Sequence, residues 1–415
     1  MSAQIESQRL PVRDSLLTQR CRSAVLDKLS QLQGGSISVH EDGQHARFGD
    51  AEAELHAELH ILHPNAWAEI ALGGSIGAAE SYMSGDWRCN DLTSLVQIFA
   101  RNLSLLDQME GKVAFFTDLA RKGLHWWHRN THAQARKNIA AHYDLGNDMF
   151  KLWLDPLMMY SSAIYPSADS SLEHAARHKL QRIGEKLQLG PNDHLLEIGT
   201  GWGGLSVYLA QTFGCKVTTT TISKEQHALA RERIDAAGLG DRIELLLEDY
   251  RDLKGQYDKL VSVEMIEAVG LQFLPQYFAK CSSLLKPNGA FLLQSITIAD
   301  QRYDYAAKNV DFIQRYIFPG GALPSNTRVG ECLRDVTDMR LVHHEDIGLH
   351  YARTLKDWRD RFHQKLNEIR ALGYDERFIR MWEYYLCYCE GGFRERVISC
   401  AQMLMHKPRC TAALP

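Results

Sequence analysis

The sequence predicts an α/β protein: a doubly wound, mostly parallel sheet of seven strands, preceded by a smaller α+β domain. Three observations carry that prediction. From about residue 171 onward, short apolar runs alternate with helical patterns of about 10–15 residues, which is the signature of a parallel sheet covered on both faces. A glycine-rich loop, Gly199-Thr200-Gly201-Trp202-Gly203-Gly204, follows the first of those runs and opens a helical pattern. The length of 415 residues exceeds one ordinary domain of roughly 100–200 residues. The sheet is therefore expected to be Rossmann-like, with its ligand at the glycine loop.

Taken in order, residues 1–118 mix short patterns of both kinds. Glu54 to Leu62 alternates polar and apolar residues, the mark of a half-buried strand. Ala66 to Leu72 and Leu92 to Phe99 read as short amphipathic helices, with breaks at Gly73-Gly74 and Ser84-Gly85-Asp86. This is the smaller domain, with no catalytic motif of its own. Residues 119–170 form a connecting segment with lid helices. Within it Arg121, Lys122, Arg129, Arg136 and Lys137, together with His125, His128 and His132, surround Trp126 and Trp127. Two readings stay open: a solvated linker helix with its tryptophans packed on a neighbour, or a contact with a membrane surface, where cationic side chains meet anionic headgroups and Trp sits at the interface.

The third domain, 171–415, carries the alternation. A helix over Leu172–Leu187 leads into a strand over Leu195–Ile198, then a helix over Leu205–Thr212 and a strand over Lys216–Thr220. A helix over Lys224–Ala237 precedes strands over Ile243–Leu247 and Lys259–Val263, and a helix over Phe273–Leu285 precedes a strand over Ala290–Ile298. The tail adds a strand over Met339–His343, helices over Leu355–Leu372 and Glu376–Cys387, and a last strand over Val397–Met405.

Composition narrows the function. The formal net charge of −4 provides no general basic field, so nucleic acid is not an expected partner. Nine cysteines at irregular spacing form neither a disulfide framework nor a zinc motif, and no metal is expected. The first 17 residues lack the apolar core of a signal peptide, and no run of about 18 apolar residues is present to span a bilayer. These features lead to the expectation of a cytoplasmic protein that meets a membrane only at its surface.

The loop itself can bind a nucleotide. Glycines let the backbone approach a ligand, and the helix N-terminus offers free N–H groups. Gly199, Gly201 and Gly204 satisfy G-x-G-x-x-G, which makes a dinucleotide enzyme a rival. Its companion acid about 20 residues on is missing, because Thr218 to Thr221 stand there. The acid before the first glycine, Glu197, suits a methyltransferase instead.

At this point a family resemblance enters. Ala141–Asp148, Met159–Ala163, Leu196–Gly204, Thr221–Gln226, Glu248–Arg251, Met265–Gly270 and Arg315–Gly320 resemble, in order and spacing, the cyclopropane fatty-acyl-phospholipid synthases and mycolic acid cyclopropane synthases. These are class I methyltransferases that use S-adenosylmethionine. The likeness runs from about His142 to the end, while the first 120 residues match the family's phospholipid-acting branch more weakly. It implies that Tyr160 and Ser161 close over the methionine part of the cofactor. Leu195, Glu197, Gly199, Thr200, Gly201, Trp202 and Gly203 form the glycine loop. Thr221, Ile222 and Gln226 receive the ribose, and Tyr250 and Arg251 flank the adenine.

The resemblance also implies methyl transfer to the double bond of an unsaturated acyl chain in a phospholipid, giving a cyclopropane fatty acid with a bound bicarbonate as base. The bicarbonate ligands map to Ser162, Glu267, Gln294, Ile296 through its backbone, and Tyr351. Two of these depart from the family's Cys and His, and Ala268 replaces the His that usually follows the Glu. A further acid, Glu264, stands where a small residue is usual. In a helical segment Glu264 and Glu267 would share one face. Glu267, assisted by Glu264, is expected to take a direct part as base or cation stabiliser. The competing expectation gives Glu264 a plain structural bond at the strand end. The family's thiol maps to Cys389, which reads as pocket lining because no base adjoins it. Discharge of the cation without ring closure would give a methyl-branched or methylene product, such as a furan fatty acid precursor. Rival functions are a small-molecule N-methyltransferase and a non-enzymatic lipid-binding protein with a decayed site. The expected partners are phospholipid at the inner face of the cell membrane and a second copy in a homodimer.

Overall fold

A computed structural model describes residues 15–105 and 146–414. The basic Trp segment lies outside the described residues. Two compact units are present: residues 1–119 with 375–384, and residues 120–374 with 385–415.

The first unit is built on a four-stranded sheet of order β2-β1-β3-β4, with β1 Ser36–Glu41, β2 Gln44–Gly49, β3 His56–Ile61 and β4 Trp87–Cys89. β3 is the alternating run expected from sequence, and its burial alternates accordingly. The expected helix at Ala66 is longer than its pattern: Asn65–Ser84 continues through the Gly73-Gly74 break, bending at Gly74 (φ 58°, ψ −139°) and resuming. It ends at Gly85, where the chain turns left-handed. Leu92–Arg101 is capped by the Asp91 carboxylate, which accepts from the Ser94 amide. The helix Leu16–Leu29 and the hairpin β1–β2 were not foreseen. On β1 and β3, His40, Glu58 and His60 each offer one ligand atom within 4.8 Å of the others.

The second unit holds the seven-stranded sheet, order β10-β11-β9-β8-β5-β6-β7. Its strands are β5 His194–Ile198, β6 Lys216–Thr220, β7 Ile243–Leu246, β8 Tyr257–Val263, β9 Leu285–Ile298, β10 Arg340–Asp346 and β11 Ile398–His406. β7, β6, β5, β8 and β9 pair in parallel; β11 runs antiparallel to β9 and β10 to β11. The first strand of the alternation is thus central, and the order reverses between β5 and β8. Apolar side chains fill both faces. Leu195, Val217, Val261 and Leu292 meet the helices Leu172–Lys186, Gly204–Phe213 and Lys224–Ala236 on one side. On the other, Leu196, Leu260 and Phe291 meet Leu274–Ser283 and Asn326–Val336. The helix Asp300–Ala306 buries no residue and carries no apolar stripe to read from sequence, whereas Asn326–Val336 presents Val329, Cys332 and Leu333 on one face, a signal that was passed over.

Candidate active site

In an open parallel sheet, ligands bind beyond the carboxyl ends of the strands where the strand order reverses. Four segments singled out from sequence follow four such ends: Gly199–Gly204 after β5, Thr221–Gln226 after β6, Glu248–Arg251 after β7 and Glu264–Glu267 after β8.

The loop after β5 is shaped by close approach. A Cβ at Gly204 would lie 2.3 Å from the Leu157 carbonyl oxygen, so the Leu154–Met159 turn can rest on the helix start only with glycine there. Gly201 is different: it has φ +52°, and a Cβ there would meet nothing within 4 Å. That open cradle fits a ligand lying against the backbone. Glu197, buried beneath the loop, accepts from the hydroxyls of Ser206 and of Thr219 (2.6 Å for the latter), and its pKa is raised to about 7 by burial. Thr200 and Thr219 hydroxyls meet at 2.7 Å. Leu195 is wholly buried in the sheet core, and Trp202 donates to Asn147 at 2.7 Å. Thr221 donates to Gln226 Oε1 at 2.9 Å, which leaves Gln226 Nε2 as a donor with no partner among the described residues. Ile222 beside them is half-buried. Arg251 grips Asp249 through Nε and Nη2 (2.9 and 2.7 Å) and stands 5.7 Å from the Tyr250 ring.

Beside the loop stands an aromatic box. The Tyr160 ring lies 5.2–5.8 Å from Phe150, Trp153 and Trp358, and its hydroxyl meets that of Tyr385 at 2.9 Å. Electron-rich ring faces attract a cation such as a sulfonium. The neighbouring Ser161 hydroxyl accepts from Lys179 at 2.6 Å. Lys179 has no exposed surface, and burial lowers its pKa, opposed by Glu264 and Asp155. Sequence reasoning passed over Lys179. The signal was present, since Leu172, Ala176, Lys179 and Ile183 share one face of their helix.

The carboxylates are reached through the next residue, Ser162, whose amide donates to Glu264. Glu264 is not helical; it directly follows β8 with φ +49°, a left-handed conformation that costs a side-chain-bearing residue about 1–2 kcal/mol. The expectation of a shared helical face is corrected accordingly, because only Ile266–Ala268 forms a short 3₁₀ turn. The strained backbone delivers the Glu264 carboxylate to a ring of donors. Oε1 accepts from the Ser162 amide (2.9 Å), Gln294 Nε2 (2.8 Å) and the Cys400 thiol (3.6 Å), and Oε2 accepts from the Tyr351 hydroxyl (2.7 Å). The Ser162 hydroxyl turns away to its neighbour's carbonyl, that of Ala163. Glu267 Oε1 accepts from the Ile296 amide (2.6 Å) and the Ser295 hydroxyl (2.9 Å), whereas its Oε2 is buried with no partner. Burial, then the nearby Glu264 charge, pushes the Glu267 pKa up to about 8. Glu264 is also raised by burial, but Lys179 and its donors oppose the shift. Two adjacent buried carboxylates cannot both ionise freely. The donors around Glu264 and the nearby Lys179 oppose its shift, so of the pair Glu264 is the one whose charged form is favoured and Glu267 the one pushed toward its protonated form.

The orientation of Gln294 is dictated from a distance. Lys186, which can only donate, meets Gln402 Oε1 at 2.7 Å; Gln402 Nε2 then donates to Gln294 Oε1 at 3.0 Å, so the Gln294 amide must offer Nε2 to Glu264. Cys389 is half-buried, and burial pushes its thiol far up, away from thiolate reactivity.

The cofactor and the bicarbonate fare differently against this geometry. The Gly201 cradle, the free Gln226 amide and the aromatic box fit S-adenosylmethionine. The residues mapped to bicarbonate do not fit a free anion, because Ser162, Gln294 and Tyr351 already converge on the Glu264 side chain.

A doubly wound sheet with a glycine loop, no ribose-binding acid after β6 and an aromatic box beside a buried carboxylate pair defines a class I S-adenosylmethionine-dependent methyltransferase. Residues 130–403 match the family model described as mycolic acid cyclopropane synthetase. The chain is 40% identical over 375 residues to the tuberculostearic acid methyltransferase UfaA1 of Mycobacterium tuberculosis, covering 86% of this chain and 84% of that one. It is 39% identical to the cyclopropane-fatty-acyl-phospholipid synthase of Escherichia coli K12, covering 85% and 88% respectively. The mycolic acid cyclopropane synthase CmaA1, solved in complex with SAH and CTAB, superposes with a TM-score of 0.61 at 28% identity, over 66% of this chain and 98% of that one. The chain belongs to the mycolic acid cyclopropane synthetase family.

Proposed function

We propose that the protein transfers the methyl group of S-adenosylmethionine to the double bond of an unsaturated fatty acyl chain carried by a phospholipid. The observation that carries this reading is the aromatic cluster around Tyr160, followed within two residues by Ser162, whose amide donates to one of a buried carboxylate pair. S-adenosylmethionine, when bound, supplies a methyl group activated on a positively charged sulfur. Gly199, Thr200, Gly201 and Gly203 form the floor of its place, with Trp202 beside them. Thr221, Ile222 and Gln226 meet the ribose, while Tyr250 and Arg251 bound the adenine side. Tyr160 and Ser161 close the methionine end.

An isolated olefin is a weak nucleophile and must be held about 3–3.5 Å from the methyl carbon, away from water. Its π pair forms the new C–C bond as the C–S pair returns to sulfur, leaving a cation on the adjacent chain carbon. The carboxylate pair stabilises that cation electrostatically and takes the proton that discharges it. Proton loss from the new methyl closes a cyclopropane ring, the outcome named for the Escherichia coli relative. A second outcome, a methyl-branched or methylene chain, is favoured by Glu264, which fills the place of the expected external base, and by the similarity to UfaA1. The lipid substrate gives the protein a working place at the inner surface of the cell membrane. No helix among the described residues is long and apolar enough to cross it.

The test uses S-adenosylmethionine labelled in its methyl group, with vesicles of unsaturated phospholipid, vesicles of saturated phospholipid, and small secondary amines. Label in the acyl chains of the unsaturated vesicles alone supports the proposal; label in the amines refutes it.

A further inference from the structure

We propose that Glu264 is a built-in replacement for bicarbonate, so that this enzyme carries its own anion and turns over without a dissolved one. The inference rests on the reading of the protein as an olefin methyltransferase and deepens it.

Three facts of geometry carry it. First, the donors around Glu264 are an anion site in their own right: a backbone N–H from Ser162, the Gln294 amide and the Tyr351 hydroxyl all point at one carboxylate, at 2.7–2.9 Å. A planar, three-atom O–C–O group is shared by carboxylate and bicarbonate, so one can occupy the donors of the other. Second, the charge balance is internal. Lys179, fully buried, lies beside Ser161 and acts electrostatically on Glu264, and the Lys186–Gln402–Gln294 chain fixes which end of the amide faces the anion. A donor set pinned in this way suits a permanent occupant. Third, the backbone at Glu264 is left-handed, and strain of this kind persists where the surroundings demand a particular placement. In the reaction, the Glu264 carboxylate takes the proton from the chain cation. The C–H pair then closes the ring or forms a new double bond, and the proton leaves from the carboxyl group to solvent after product departs.

The experiment uses the full chain, with labelled S-adenosylmethionine and unsaturated phospholipid vesicles. Turnover is measured in CO2-free buffer and again with millimolar bicarbonate. The expected result for the unaltered enzyme is the same rate in both. Glu264→Gly is the informative variant, because glycine accepts the left-handed backbone without cost and empties the donor ring. It should lose roughly 100-fold or more in turnover, the usual scale for a removed general base, while still binding S-adenosylmethionine by calorimetry. Bicarbonate or formate should restore a measurable part of its rate. Glu264→Gln, which keeps the ring filled with a neutral group, should not be restored.

A crystal structure of Glu264→Gly grown in bicarbonate adds a readout independent of turnover: an anion bound to the Ser162 amide, Gln294 and Tyr351. Bicarbonate dependence in the unaltered enzyme overturns the proposal. So does near-normal turnover of Glu264→Gly in CO2-free buffer, and so does an empty donor ring with no restoration in a variant that binds the cofactor. If the unaltered enzyme methylates no unsaturated phospholipid at all, the functional reading fails instead, and the crystal structure alone decides whether the ring takes an anion.

Discussion

At the scale of single residues, Glu267 shows how burial sets chemistry. Its proton affinity is raised from the ordinary 4.5 to about 8 in the folded chain. A carboxyl group raised in this way binds more protons folded than unfolded between those values, so its contribution to stability is full below about 4.5 and is lost as pH rises toward 8. Glu267→Gln should therefore gain in melting temperature relative to the unaltered protein as pH goes from 5 to 8. A constant difference across that range would contradict the assignment. Gly201 offers a second test. Alanine there takes a left-handed conformation at about 1 kcal/mol, worth a few degrees in melting temperature, and its methyl group enters the open cradle. Binding of S-adenosylmethionine should weaken by roughly tenfold or more, about 1.4 kcal/mol or above, as titration calorimetry can measure. Gly204→Ala should instead destabilise the fold, because its Cβ meets the Leu157 carbonyl oxygen.

At the scale of elements, the helix Leu172–Lys186 does more than cover the sheet. It brings Lys179 to Ser161 and Lys186 to Gln402, so one element sets both the charge beside Glu264 and the direction of its amide donor. Replacing Lys179 with Met removes a buried amine without opening a hole. It leaves Glu264 buried without the group that opposes its desolvation, so stability should fall, by about 3–5 kcal/mol if the carboxylate stays charged, and the Glu264 pKa climbs. The acid limb of the turnover profile should move up by about one pH unit or more, with cofactor binding little changed; an unmoved limb would show that Lys179 acts only in packing. The same scale shows what the sequence made legible. The alternation from Leu172 to Ile298 was readable because each βα unit repeats one pattern of burial. The hairpin β1–β2 was readable too and was passed over: Asp42-Gly43 (φ 49° and 76°) is a two-residue turn of the kind that joins alternating strands. The donor ring was beyond reach. Ser162, Glu264, Gln294, Tyr351 and Cys400 come from five segments, and only the pairing of β8 with β9 and β9 with β11 brings three of them together. The family likeness named several of these residues, but that Glu264 fills the ring depends on a backbone conformation that no spacing encodes.

At the scale of the whole molecule, the sheet places four segments singled out from sequence just after the carboxyl ends of four parallel strands, so motifs scattered along the chain come to one edge of the sheet. In the proposed reaction a methyl group passes from sulfur to an olefinic carbon, and a carboxylate of the protein then removes one proton. The most direct measurement uses S-adenosylmethionine bearing a trideuterated methyl group, unsaturated phospholipid vesicles, and mass spectrometry of the released fatty acids with the added carbon located by fragmentation. Deuterated carbon is expected at a former double-bond position, keeping two deuterons where the ring has closed or an exocyclic methylene group has formed, and three where a chain proton was lost. Deuterated methyl groups found on headgroups or free amines, with the acyl chains unlabelled, would contradict it.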